Sequence, residues 1–223
     1  MRAVLLDVDG TLVDSNDAHA YSWADALAEL GYEKGFADVR PLIGMGGDNL
    51  LPTLLGIESE SEEGKRLSER KRELFQRDYL QTIRPFPQVP ALIERMRADG
   101  LALVVASSAN EEELGALLRI AGAESLIEGA TSADDAESSK PDPDIIHAAL
   151  GRAKADAAEC ILVGDTPYDV EAAQRAGVRV VGVRCGGWDD ASLAGATAVY
   201  DDPADLLARY EDSPIARGVS VAK

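Results

Sequence analysis

Residues 160–183 read CILVGDTPYDVEAAQRAGVRVVGV. The run CILVGD is apolar without alternation until it stops at Asp165, which is the pattern of a strand buried on both faces. TPYDVEAAQRAG then carries its apolar residues at helical spacing, opened by Thr166 and Pro167 and closed by Gly177. VRVVGV is a second apolar run. Strand, helix and strand in so short a span imply a right-handed crossover between parallel strands. Upstream the alternation repeats: LALVVASS (101–108) as strand, NEEELGALLRIAG (110–122) as helix, LIEGATS (126–132) as short strand and DPDIIHAALGRA (142–153) as helix. Downstream come ATAVY (196–200) as strand and PADLLARY (203–210) as helix. The beginning, RAVLLD (2–7), is one more buried strand.

These runs predict an α/β protein with a doubly wound parallel sheet covered by helices on both faces. Between the first strand and the rest lies a block without a convincing strand: NDAHAYSWADALAELG (16–31) has helical spacing, and SESEEGKRLSERKRELFQRDYLQTI (59–83) reads as one charged helix. RPFPQVP (84–90) then breaks any helix with its prolines. The expected organisation is a discontinuous core, 1–15 and 83–212, a helical insertion at 16–82, and a flexible tail at 213–223.

The chain has 223 residues, enough for one core with a smaller insertion. Hydrophobic residues make up 46%, and no segment approaches the roughly 18 uninterrupted apolar residues of a membrane span. The first apolar run is cut at Asp7, too early for a signal-peptide core. The two cysteines, Cys160 and Cys185, form no disulfide or thiolate framework. A soluble cytoplasmic protein is expected. With 40 acidic against 22 basic residues and a net charge of −18, a nucleic-acid partner is disfavoured, since no basic stretch exists to neutralise phosphates. A small phosphorylated ligand would need a bound cation and a few placed bases. The oligomeric state, monomer or dimer, stays open.

Ligands of open parallel sheets bind beyond the carboxyl ends of the strands. Asp7 and Asp9 end the first strand, Ser107 ends LALVVA, Asp165 ends CILVG with Asp169 four residues on, and Lys140 lies in the connection SSKPDPD. Carboxylates with one lysine suit Mg²⁺ and a phosphate. One Asp could then attack phosphorus, and the other, given a raised pKa, could protonate the leaving oxygen and later deprotonate water. Each piece has a plainer reading. Thr166, Pro167 and Asp169 form an ordinary helix start, as do Asp142 and Pro143. Ser107 fits turn chemistry, Lys140 a surface lysine and His19 a structural histidine. DVDG lacks the Gly and Glu of a calcium loop, and Gly44 and Gly46 lack the third glycine of a dinucleotide loop. The joint occurrence at strand ends favours chemistry.

The four segments DVDGT, Ser107, KPDP and GDTPYD, in this order, resemble the haloacid dehalogenase-like hydrolase superfamily over nearly the whole chain. The resemblance implies a Rossmann-like core with a small helical cap. It implies Asp7 as nucleophile and Mg²⁺ ligand, and Asp9 as acid/base lending its backbone carbonyl to the metal. Asp165 would bind the metal and Asp169 would support it. Ser107, with Ser108, and Lys140 would hold the phosphoryl group. Asp9 favours phosphoryl chemistry over dehalogenation, because a halide needs no proton. His19 matches a position that couples cap to acid/base in the family's sugar-phosphate mutases. The loop RPLIGMGGDNLL (40–51) is similar to the substrate loop of phosphoglycolate phosphatase-like members, with Arg40, Gly46 and Gly47 as substrate-binding candidates. Ile43 and Gly47 stand where the mutases carry bases for a second phosphate. The implied activity is Mg²⁺-dependent hydrolysis of a small phosphorylated metabolite through an aspartyl-phosphate. The rivals are a mutase such as β-phosphoglucomutase, a phospho-receiver and a catalytically silent binding protein.

Overall fold

A computed structural model describes residues 1–220. Six strands, β1 (Ala3–Leu6), β2 (Ala102–Ala106), β3 (Gly129–Thr131), β4 (Cys160–Gly164), β5 (Arg179–Val183) and β6 (Ala198–Tyr200), form one sheet in the order β3-β2-β1-β4-β5-β6. All neighbours pair in parallel, with Leu5 beside Val104 on one flank and Leu162 on the other. The helices are α1 (Asn16–Glu29), α2 (Phe36–Val39), α3 (Gly47–Leu55), α4 (Glu62–Leu74), α5 (Val89–Ala98), α6 (Glu111–Ile120), α7 (Asp144–Ala153), α8 (Pro167–Arg175), α9 (Pro203–Ala208) and α10 (Pro214–Ser220).

Strand alternation divides the core between two faces. Val4, Leu6, Leu103, Val105, Ile161 and Val163 pack with α5, α6, α9 and α10 through Leu92, Ile93, Leu117, Leu206 and Ile215. Ala3, Leu5, Val104, Cys160 and Leu162 pack with α7 and α8 through Ile145, Ile146, Ala149, Ala172 and Ala173. Both faces of the central strands are therefore dry, which is why β1, β2 and β4 read as continuous apolar runs. The helices between β1 and β2 bury a separate cluster, including Ala20, Trp23 and Leu27 of α1, Leu50 and Leu51 of α3, and Leu67 of α4. No helix among the described residues is long and apolar enough to cross a membrane.

Three local expectations are corrected and one helix is added. The charged run is not one helix: α4 stops at Leu74 and widens into a π turn over Phe75–Tyr79, where Phe75 leaves the polar stripe and enters the main core. The prolines at 85 and 87 do break the helix, which ends at Thr82, but Pro90 opens the unexpected helix α5 from its first turn, where its missing N–H has no partner to lose. Asp142 does not cap α7, which starts behind Pro143; its carboxylate meets Arg175 at 3.1 Å. The segment 213–223 is not a loose tail as far as described. α10 buries Ile215 in the core, and the Met1 ammonium donates to the Gly218 carbonyl at 2.8 Å. Residues 221–223 lie outside the described residues.

Candidate active site

In the order β3-β2-β1-β4-β5-β6 the crossovers from β1 and from β4 run to opposite sides, so a crevice opens between their carboxyl ends. Asp7 leaves β1 there, and Asp165 leaves β4. Asp169 joins them one helical turn on: Thr166 Oγ1 accepts from the Asp169 N–H at 3.1 Å, while Asp169 Oδ2 accepts from the Thr166 N–H at 3.0 Å and its hydroxyl at 2.7 Å. This reciprocal cap spends one carboxylate oxygen and leaves Oδ1 for the crevice, so capping and site chemistry share the residue. Ligand oxygens of Asp7, Asp165 and Asp169 lie within 4.8 Å of one another, all buried. The buried Lys140 puts Nζ 2.5 Å from Asp7 Oδ1 and 2.7 Å from Asp169 Oδ1. Asp165 is oriented by Thr11 Oγ1 at 3.1 Å and Asn16 Nδ2 at 2.8 Å. Gly10, at φ +73°, makes the turn possible, since a Cβ there would stand 2.3 Å from Asp165 Oδ2.

Burial dominates the protonation of this set. It pushes Asp7 up to about 7, against the attraction of Lys140 and with the repulsion of Asp169. Asp165 is raised well above the carboxylate range by burial, then by Asp7 and Asp169. Burial works against the Lys140 charge, but Asp169 and Asp7 outweigh it and hold the ammonium above its usual value. An all-carboxylate set that is expensive to ionise alone fits a hard divalent cation, which offsets the repulsion.

Asp9 is arranged differently. Its Oδ1 accepts from Ser15 Oγ at 2.5 Å and faces His19 Nε2 at 2.8 Å. His19 Nδ1 lies 3.1 Å from Lys71 Nζ. The ionised Asp9 carboxylate only accepts, so Nε2–H is the donor of its contact with His19. The imidazole stacks on Phe75 with centroids 4.2 Å apart, so the π turn of the insertion supports the ring. Burial raises Asp9, but His19, the two hydrogen bonds and Lys71 together carry it below the usual carboxylate range. The raised value expected for an acid/base is thus found at Asp7 and not at Asp9. Lys71 also approaches Glu113 Oε2 at 3.6 Å, and His19 Nε2 approaches Glu113 Oε1 at 3.9 Å. Asp7, Asp9, His19, Lys71 and Glu113 line one cavity of about 110 Å³, roofed by Trp23 and by residues 43–47.

The family model described as haloacid dehalogenase-like hydrolase matches residues 4–183. The chain belongs to the haloacid dehalogenase-like hydrolases. Among its relatives, chains named phosphoglycolate phosphatase from Aquifex aeolicus and Yersinia pestis are 30% and 33% identical to this hydrolase. The alignments cover 80% of this chain and 83% of the first relative, and 83% and 82% for the second. A crystal structure of a hydrolase from Pseudomonas syringae is 30% identical, with a TM-score of 0.89 over 95% of this chain and 99% of that one.

Of the residues picked out in the sequence of this hydrolase, Asp7, Asp165, Asp169 and Lys140 meet as described. Asp9, His19, Ser108, Gly46 and Gly47 line the adjoining cavity. The Ser108 hydroxyl is buried there without a hydrogen-bond partner. Ser107 is buried beside it, and its Oγ accepts from the Ala109 N–H at 3.1 Å, the turn chemistry its position allowed. Arg40 is not among the cavity residues: Nε meets Asp17 at 2.6 Å and Nη2 donates to the Gly186 carbonyl at 2.5 Å. Sequence reasoning missed Lys71, Glu113, Asn16 and Thr11. Lys71 stands among similar charges in KRLSERKREL. Glu113 follows Asn110 by three, the spacing of a capping box. Asn110 does accept from the Glu113 N–H, but the Glu113 side chain turns to Lys71 instead of back to the cap.

Proposed function

We propose that this hydrolase is a Mg²⁺-dependent phosphomonoesterase that releases phosphate from a small phosphorylated metabolite, of the phosphoglycolate or sugar-phosphate kind, by way of an aspartyl-phosphate on Asp7. The observation that carries the reading is the convergence of Asp7, Asp165, Asp169 and Lys140 at the floor of a cavity that also reaches Asp9. The phosphatase names of the relatives agree with it.

The metal would be held by the carboxylates of Asp7, Asp165 and Asp169 and by the Asp9 carbonyl. Bound there, it would offset their repulsion and draw charge from the phosphoryl oxygens. Lys140, Ser107 and Ser108 would hold that group while an Asp7 oxygen attacks phosphorus and the bond to the leaving oxygen breaks. Asp9 hands a proton to that oxygen. Because Asp9 rests below the usual range, the proton enters with the ester's monoanionic phosphate and passes through Asp9. In the second half Asp9 takes a proton from water, which attacks the aspartyl-phosphate, frees inorganic phosphate and restores Asp7. The helical insertion acts as a cap that closes over the reaction.

A mutase would need a cation from the 43–47 loop for a second phosphate, and that part of the cavity wall is Ile43, Gly44, Met45, Gly46 and Gly47. The test is phosphate release with and without Mg²⁺. Asp7→Asn should abolish turnover of p-nitrophenyl phosphate and metabolite esters while its circular dichroism stays unchanged, since an amide cannot attack phosphorus. Retained turnover in that variant rules out Asp7 as nucleophile.

A further inference from the structure

Glu113 is an acidic side chain in an unusual place for an enzyme whose substrate is an anion. It is only 6% exposed, yet it lines both the smaller cavity over Asp7 and a wider groove of about 670 Å³ that runs outward between α4, α6 and residues 133–139. Lys71 lines both spaces too. The pair therefore stands where the leaving group of an ester must lie once its phosphoryl group is on the Asp7 floor. Lys71 is not a free anion anchor. Its ammonium faces Glu113 Oε2 at 3.6 Å, points to His19 Nδ1 at 3.1 Å and sits 4.7 Å above the Phe75 ring. Farther out the other two bases of the groove are matched as well, Lys65 with Glu60 at 3.0 Å and Arg72 with Glu69 at 3.9 Å. Asp48 and Glu137 add further negative charge to the same wall.

An anionic leaving group bearing a carboxylate or a second phosphate would thus meet Glu113 in a confined space, where like charges cost far more than in water. A hydroxyl or ammonium would find an acceptor there. We propose that Glu113 is a specificity-determining residue that turns this hydrolase toward phosphate esters of non-anionic, donor-bearing alcohols and away from 2-phosphoglycolate. The proposal rests on the phosphomonoesterase reading and narrows its substrate class to one that the names of the relatives do not indicate.

Two esters of one skeleton test it: 2-phosphoglycolate and 2-hydroxyethyl phosphate differ by a carboxylate against a hydroxymethyl group. With Mg²⁺ present, kcat/KM should favour the hydroxyl ester by about tenfold or more. Glu113→Gln should shrink that ratio by about fivefold, chiefly by raising 2-phosphoglycolate turnover, and Lys71→Met should widen it by leaving Glu113 unmatched. A native enzyme that prefers 2-phosphoglycolate overturns the proposal whatever the variants do, and so does a ratio that Glu113→Gln leaves unchanged in a folded protein. Turnover of p-nitrophenyl phosphate separates the two levels: if it persists while the ratio fails, only the specificity assignment falls. If no ester is hydrolysed, the phosphomonoesterase reading falls and the proposal with it.

Discussion

Asp7 and Asp9 are one residue apart and are driven in opposite directions. Asp7 points into a dry crevice shared with two other carboxylates and rises to about 7; Asp9 points to Ser15 and His19 and falls below its usual range. In metal-free enzyme the native state therefore favours protonated Asp7. That contribution is fully present below about pH 4 and is lost as pH rises through about 7, where the buried carboxyl must ionise. A cation reverses the sign, because it binds the carboxylate and expels the proton. Mg²⁺ affinity should consequently tighten as pH rises through about 7, by about tenfold per pH unit for each proton that binding displaces. Calorimetric titrations across that range would check this; Asp7→Asn should flatten the dependence, and an equally steep one in the variant would exclude Asp7 as its source. Asp9→Asn should slow ester turnover by roughly 10²- to 10⁴-fold, read by steady-state kinetics, because the leaving oxygen and the water both lose their proton partner.

The start of α8 shows how one turn serves fold and site together. Thr166 caps the helix and, through the same hydroxyl, holds Asp169 Oδ2, so that Oδ1 faces Lys140. Thr166→Val should lower stability by about 1 kcal/mol for the lost cap and also weaken Mg²⁺ binding, while Thr166→Ser should keep both. Thermal unfolding and metal titration on the two variants separate the effects. This helix was legible because Thr, Pro and Asp each act on the nearest backbone, and the buried strands were legible because two dry faces permit only apolar residues. What stayed hidden depends on contacts distant in sequence. α5 was masked by prolines whose effect depends on the turn they occupy. Phe75 marks the end of α4 only because its ring is needed under His19 and in the main core. Glu113 carries the spacing of a cap residue, and nothing local says that Lys71, on another helix, draws it away. The floor of the site sits on strand ends and could be read in order; its roof, assembled from several segments of the insertion, was read only at His19, Gly46 and Gly47.

At the scale of the molecule, the helical insertion meets the core through the apolar anchor of Phe75 and through polar contacts around the cavity. The chain leaves and returns side by side, with the Asp14 N–H donating to the Arg84 carbonyl at 2.9 Å, so the insertion joins the core through a narrow neck. Across from it, Asn49 of α3 donates to the carbonyls of Ser139 at 3.0 Å and Lys140 at 3.2 Å, Asp48 accepts from the Ser139 N–H at 2.9 Å, and Tyr168 donates to the Pro41 carbonyl at 2.6 Å. These bonds can exist only while the insertion lies on the core. Asn49 is the most informative of them, because it grips the backbone of the lysine that would hold the phosphoryl group. If the insertion closes over the ester, closure and placement of Lys140 would then be one event. Asn49→Ala deletes two hydrogen bonds of the closed form and none of an open form, about 1–2 kcal/mol in total, so the closed-to-open ratio should fall roughly five- to thirtyfold. If chemistry requires closure, kcat/KM for every ester should drop by a similar factor, equally for carboxylate and hydroxyl leaving groups, with little change in the unfolding midpoint of the core. Small-angle scattering should show a larger radius of gyration for the variant. Unchanged kcat/KM alongside the expanded radius would mean that the insertion does not gate the chemistry, and that Lys140 is held in place by Asp7 and Asp169 alone.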